Sequence, residues 1–160
     1  MEPKTNITVG ALMTTAVITF KPTDTIQHVV ETMRTQRISG APVIDEQRGV
    51  IGIISEADIM KLTASVPFPV IDPLNPFPVF SITTYLREVK RIPEEITALF
   101  EGAVKDAMTR KPVTISPDAS IAEAARLMHK NDFNRLPVVD ADGKLIGLIA
   151  RDDIIRIFAT

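Results

Sequence analysis

The chain has 160 residues, 45% of them apolar, with 18 lysines and arginines against 20 aspartates and glutamates and a formal net charge of −2. That length and apolar content suit one compact domain or two small lobes sharing a core, and the balanced charge argues against a nucleic-acid footprint. Cysteine is absent, which excludes disulfides and thiolate metal sites, and His28 and His129 belong to no spaced ligand set and read as surface residues.

The opening residues Met-Glu-Pro-Lys-Thr-Asn lead into no apolar h-region, so no secretory leader is expected. No stretch reaches the roughly 18 uninterrupted apolar residues of a membrane span, and a cytoplasmic protein is the expectation.

The dominant feature is a repeat. Shifting the chain by 95 positions lays Val9–Leu62 on Val104–Ile157 without a gap, and 15 of those 54 positions are identical. They include Met13 and Met108, Thr14 and Thr109, Pro42 and Pro137, Gly52 and Gly147, and Asp58 and Asp153. One supersecondary unit is used twice, each copy burying its apolar face against the other.

In chain order, residues 17–20 and 112–115 read as a short strand ahead of a proline turn at Pro22 and Pro117. A helix follows, with Ile26, Val29, Val30 and Met33 at i, i+3, i+4 and i+7; its second copy carries Ile121, Ala124, Ala125 and Met128. Thr25 and Ser120 stand at the N-cap positions, and Ser120 with Glu123 has the capping-box pattern. Ala41–Ile44 and Leu136–Val139 read as buried strands, followed by turns at 45–49 and 140–143 and second strands at 50–54 and 145–149. Each copy closes with a helix, carrying Ile59 and Leu62 or Ile154, Ile155 and Phe158. The four repeat methionines fit core filling.

Residues 63–103 separate the copies. Five of the twelve prolines lie between Pro67 and Pro78 among Phe68, Phe77, Phe80 and several aliphatic residues. A flexible linker is polar, so this segment reads as an extended strip that packs over something, or as a docking strip for a partner. Tyr85, Leu86 and Val89 suggest a turn or two of helix. Pro93, Glu94 and Glu95 then suit the first turn of a helix bearing Ile96, Leu99 and Phe100.

Gly52-Ile-Ile-Ser55-Glu-Ala-Asp58 carries the most chemistry. A serine hydroxyl, free backbone N–H groups and a carboxylate one turn later can grip a phosphorylated ribose, and the same S-x-x-D is an ordinary capping box. The second copy, Gly147-Leu-Ile-Ala150-Arg-Asp-Asp153, keeps the aspartate without the serine. Gly52 and Gly147 allow close backbone packing or approach of a ligand.

Met13-Thr, Arg37-Ile-Ser-Gly-Ala-Pro-Val-Ile-Asp45 and Gly52–Asp58 resemble a cystathionine-β-synthase (CBS) domain. Met108-Thr, Arg135-Leu-Pro-Val-Val-Asp140 and Gly147–Asp153 resemble a second. The resemblance covers about two thirds of the chain. It implies a stand-alone Bateman module of α/β (α+β) class: two pseudo-symmetric strand-helix-strand-strand-helix repeats, 9–62 and 104–158, packed through their sheets around the insertion at 63–103. It further implies a non-catalytic regulator that binds AMP, ADP or ATP, ahead of S-adenosylmethionine, in clefts between the repeats and signals energy state to an unidentified partner protein. A homodimer is implied, with no obligatory cofactor, metal, nucleic acid or membrane.

Carried over residue by residue, the family's ribose aspartate falls on Asp58 and Asp153 and its phosphate-facing hydroxyl on Ser55. Ala150 departs from that pattern. Sites in the family are built crosswise. Asp58 would face Thr109, Val113, Phe133, Asn134 and Arg135, and Asp153 would face Thr14, Ile18, Ile38, Ser39 and Gly40, these residues holding the base. Arg135 and Arg151 are candidate phosphate contacts or solvated surface charges. On this pattern the cleft with Asp58, Ser55 and Arg135 is the phosphate-bearing one and the Asp153 cleft the weaker. The alternative function is a ligand-free scaffold or dimerisation module that uses residues 67–80 to hold a partner. No nucleophile–base pair or P-loop points to an enzyme.

Overall fold

A computed structural model describes residues 6–64 and 94–159 of the chain. The expectations for the Pro/Phe strip at 67–80, for Tyr85, Leu86 and Val89, and for Pro93 lie outside the described residues. The elements in chain order are α1 (Val9–Leu12), α2 (Ile26–Gln36), β1 (Gly40–Ile44), β2 (Val50–Ser55), α3 (Glu56–Thr63), α4 (Glu94–Phe100), α5 (Val104–Ala107), β3 (Thr109–Arg110), α6 (Ile121–Asn131), β4 (Arg135–Val139), β5 (Leu145–Ala150) and α7 (Arg151–Ala159).

The helices α2 and α6 form where the 3.6-residue period places them, and their caps explain their limits. Thr25 accepts the His28 N–H at 3.1 Å and Ser120 the Glu123 N–H at 3.2 Å. Each helix ends on a left-handed residue, Arg37 or Asp132, both at φ 54°. Ile26, Val29, Val30 and Met33 are buried, as are Ile121, Ala124 and Met128, while Ala125 is half-buried. His28 and His129 are exposed.

The segments at 17–20 and 112–115 form no extended strand. Each touches a sheet through one parallel bridge, Phe20 to Val43 and Ile115 to Val138. The prolines two residues further on remove the N–H groups that a longer ladder would need. The four-residue helices α1 and α5 are too short to show a period in the sequence.

The chain folds as two compact units that do not coincide with the two repeats. One comprises Phe20–Val43 and Gly52–Arg110; the other comprises Met1–Thr19, Ile44–Ile51 and Lys111–Thr160. In the first unit β1, β2 and β3 lie in that order in one sheet, with Gly52 opposite Arg110 and Ile53 opposite Thr109, antiparallel. In the second, β4 pairs antiparallel with β5 from Arg135–Ala150 to Val139–Leu145, with a bulge between Val138 and Val139. Thr14 bridges Leu148 there, the place that Thr109 holds against Ile53. Each sheet is therefore completed by the Met-Thr segment near the start of the other repeat.

The core of the second unit is built from Val9, Ile115, Ala124, Met128, Leu136, Val138, Ile149 and Ile154, with Met13, Val113 and Phe133 packed against it. Phe20, Ile54, Ile59 and Val104 are among the buried side chains of the first unit. The turn of the first repeat belongs to the second unit. Arg48, at φ 66°, stands where the second repeat has Gly143 at φ 77°; its carbonyl accepts the Leu145 N–H at 2.9 Å and its guanidinium donates to the Leu145 carbonyl at 3.3 Å.

Candidate functional site

Each repeat delivers its aspartate in the same way. A strand rises to its last residue, Ser55 or Ala150, and turns directly into α3 or α7. The first helical N–H is tied back in both: Glu56 donates to the Ser39 carbonyl at 3.0 Å and Arg151 to the Asn134 carbonyl at 2.8 Å. Asp58 and Asp153 stand third in their helices, where a carboxylate complements the positive end of the helix dipole.

Their hydrogen bonding differs. Asp58 is 7% exposed and its carboxylate takes three donors. Oδ2 accepts the Ser55 N–H and the Ser55 hydroxyl, both at 2.9 Å, and Oδ1 accepts the Thr109 hydroxyl at 2.9 Å. Ser55 Oγ in turn accepts the Asp58 N–H at 3.4 Å, closing a reciprocal capping box. Asp153 is half-buried, and its Oδ2 accepts the Ala150 N–H at 2.9 Å. Among the described residues no protein donor reaches its other oxygen.

The two glycines have a packing role. A Cβ on Gly52 would stand 2.6 Å from Met108 Sδ and 3.0 Å from the Thr109 carbonyl oxygen. On Gly147 it would collide with Met13 Sδ and lie 2.9 Å from Met13 Cγ. Each methionine of a Met-Thr pair therefore lies over the strand glycine, which sets the neighbouring threonine in register: Thr109 opposite Ile53, and Thr14 exchanging backbone bonds with Leu148 at 2.8 and 2.9 Å.

The remaining candidates fall into two groups. Ile38, Ser39 and Gly40 lie in the unit of Asp58, at the approach to and start of β1, with Ser39 exposed and Gly40 buried. Ile18, Val113, Phe133, Asn134, Arg135 and Arg151 lie with Thr14 in the unit of Asp153. There Asn134 is exposed, while Ile18, Val113, Phe133 and Arg135 are half-buried. The Arg151 guanidinium donates to the Phe133 carbonyl at 3.0 Å and stands 4.0 Å from the fully exposed Asp132 carboxylate. An exposed pair at that distance is weak, and a guanidinium carries five N–H donors, so Arg151 keeps donors available to an anion. Ser55, Asp58 and Thr109 are the candidates drawn into one hydrogen-bonded cluster. The Thr109–Asp58 bond joins residues 51 apart, and its signal in the sequence is the repeated Met-Thr pair.

Among the described residues no group of three or more histidine, cysteine, aspartate or glutamate side chains could hold a metal ion. No described helix is long and apolar enough to cross a membrane.

These features match a known family. Its model, the CBS domain, fits residues 9–65 and 104–160. An uncharacterized protein of Methanocaldococcus jannaschii is 36% identical over 148 residues, 91% of this chain and 87% of that protein. The chloroplastic CBS domain-containing protein CBSX2 of Arabidopsis thaliana is 31% identical over 151 residues, and the chain spans 62% of its length. The crystal structure of CBSX2 in complex with AMP superposes with a TM-score of 0.70 at 28% identity, covering 95% of this chain and 96% of that one. The CBS domain pair of protein MJ0100, at 21% identity and a TM-score of 0.68 over 95% of each chain, shares the fold. With both halves of the repeat matched, the chain belongs to the CBS domain family as a CBS pair.

Proposed function

We propose that this chain is a non-catalytic regulatory module that binds adenosine nucleotides of the AMP, ADP or ATP type and conveys its ligand state to a partner protein. The observation that carries this reading is the aspartate presented identically by both repeats, one of them with a carboxylate oxygen that no described protein donor reaches. A helix-terminal aspartate with spare acceptor capacity suits the vicinal hydroxyls of a ribose, because a charge-assisted hydrogen bond shielded from water contributes about 1.5–3 kcal/mol. The AMP complex of the similar CBSX2 supports the ligand class. Arg135 and Arg151 are the residues proposed for the phosphate, the Ser55 hydroxyl being engaged by Asp58, and Thr14, Ile18, Ile38, Ser39, Gly40, Thr109, Val113, Phe133 and Asn134 are proposed for the base, through apolar side chains and backbone groups.

The output would be a population shift, the nucleotide favouring the conformation that binds it better. A nucleotide at 100 times its Kd stabilises the bound state by about 2.7 kcal/mol. Thermal shift with AMP, ADP, ATP and S-adenosylmethionine, followed by calorimetric titration, is the test. A Tm rise with at least one adenosine nucleotide is expected, and Asp153→Ala should weaken the tighter binding at least tenfold. No shift with any of the four would sink the reading.

The proposal includes a homodimer. Met60 of α3 and Ile155 of α7 occupy equivalent repeat positions and are 45% and 53% exposed, with Phe158 at 64% beyond them. Apolar side chains left open at equivalent positions of the two repeats suit pairing with another copy of the chain. Sedimentation velocity should give twice the chain mass; a monomer at micromolar concentration would remove the dimer from the proposal.

A further inference from the structure

We infer that Thr109 is an internal competitor for the first-repeat carboxylate, so that the second repeat holds the tighter nucleotide site and the first is latched. This inference rests on the nucleotide reading above and adds the order in which the two sites fill. The four residues concerned form two equivalent pairs, Thr109 with Asp58 and Thr14 with Asp153, each within one folded unit. Both threonines sit in the same backbone register, opposite Ile53 and Leu148. Their side chains do not behave alike. The Thr109 hydroxyl donates to Asp58 Oδ1 at 2.9 Å, while Asp153 Oδ1 has no protein donor among the described residues.

A carboxylate offers about four acceptor sites. Three at Asp58 are taken, by the Ser55 N–H, the Ser55 hydroxyl and the Thr109 hydroxyl. A ribose diol bringing two hydroxyls to Asp58 must therefore displace one of these donors. The Ser55 bonds belong to the helix cap, whereas Thr109 is exposed and lies outside that cap, so its hydroxyl is the one that yields. Losing a hydrogen bond to a charged group reduces affinity by about 10- to 150-fold relative to an open carboxylate. Asp153 imposes no such penalty. The order is the reverse of the one that Ser55 suggests in the sequence, because in the fold the Ser55 hydroxyl is spent on Asp58 itself.

The experiment uses the full chain, Thr109→Ala, and Thr109→Ser, which keeps the hydroxyl. Calorimetric titration with AMP should show one equivalent bound tightly to the wild type and to Thr109→Ser. Thr109→Ala should bind a second equivalent at least tenfold more tightly than the wild type does. In parallel, carboxylates are labelled with a carbodiimide and glycine ethyl ester without nucleotide and followed by mass spectrometry. Asp153 should react readily in all three proteins, and Asp58 should react slowly except in Thr109→Ala. Equal labelling of Asp58 and Asp153 in the wild type overturns the inference, as does a Thr109→Ala protein with unchanged stoichiometry and unchanged labelling. If the labelling follows the expected pattern but no protein binds AMP, the latch stands and the nucleotide reading fails.

Discussion

Leu136→Ala is expected to lower the unfolding free energy by about 2–5 kcal/mol, the range for removing a fully buried leucine side chain. Leu136 is 0% exposed and lies on β4 among Val9, Ile115, Ala124, Met128, Val138, Ile149 and Ile154. Val9 comes from α1, Ala124 and Met128 from α6, Ile149 from β5 and Ile154 from α7, so the leucine joins four separate elements to its own strand. None can move inward to fill the void without breaking its own hydrogen-bonded frame. The transfer term and the cavity term therefore both apply. Urea denaturation with an unchanged slope and a lowered midpoint is the expected signature. A loss below 1 kcal/mol would show that the second unit repacks and that its core is less closely fitted than the burial indicates.

Asp58→Ala should cost about 1–3 kcal/mol, and Asp153→Ala about 1 kcal/mol or less, although the two residues are equivalent in the repeat. Removing the Asp58 carboxylate strips the partner from the Ser55 N–H, the Ser55 hydroxyl and the Thr109 hydroxyl, at a site 7% exposed. Among the described residues, removing the Asp153 carboxylate releases the Ala150 N–H alone. The comparison of the two variants by chemical denaturation in the absence of nucleotide separates a structural duty from a binding duty. Equal losses would mean that the hydrogen bonds at Asp58 contribute nothing beyond an ordinary helix cap.

Much of the fold follows from local pattern. The period of Ile26, Val29, Val30 and Met33, the caps at Thr25 and Ser120, and the turns after Asp45 and Asp140 are short-range chemistry, and each element stands where that chemistry places it. The failures are also local in origin. Residues 17–20 and 112–115 have strand composition, yet each makes a single bridge, because pairing is settled by what lies alongside and not by propensity. The assignment of Met13-Thr14 and Met108-Thr109 to sheets of the opposite repeats is a tertiary fact with no periodic trace. No spacing rule reaches the Thr109–Asp58 bond across 51 residues either; its trace in the sequence is the repeated Met-Thr pair and the facing of Asp58 and Thr109 that the CBS resemblance implies. In the sequence, Ser55-x-x-Asp58 reads either as a capping box or as a grip for a phosphorylated ribose. In the fold the cap is made, and it bears directly on how much of the carboxylate a ligand could use.

The completion of each sheet by a distant Met-Thr segment also has a price in loop closure. Ile53 and Thr109 are 56 positions apart, and Thr14 and Leu148 are 134 apart. Closure entropy grows only with the logarithm of that span, so the longer loop costs about 0.8 kcal/mol more than the shorter. Removing 29 residues from the tract between the repeats would recover only about 0.6 kcal/mol. Closure entropy by itself therefore places little constraint on the length of that tract. The few residues at 103–110 are constrained by pairing instead, because Gly52 and Ile53 depend on them for their outer neighbours.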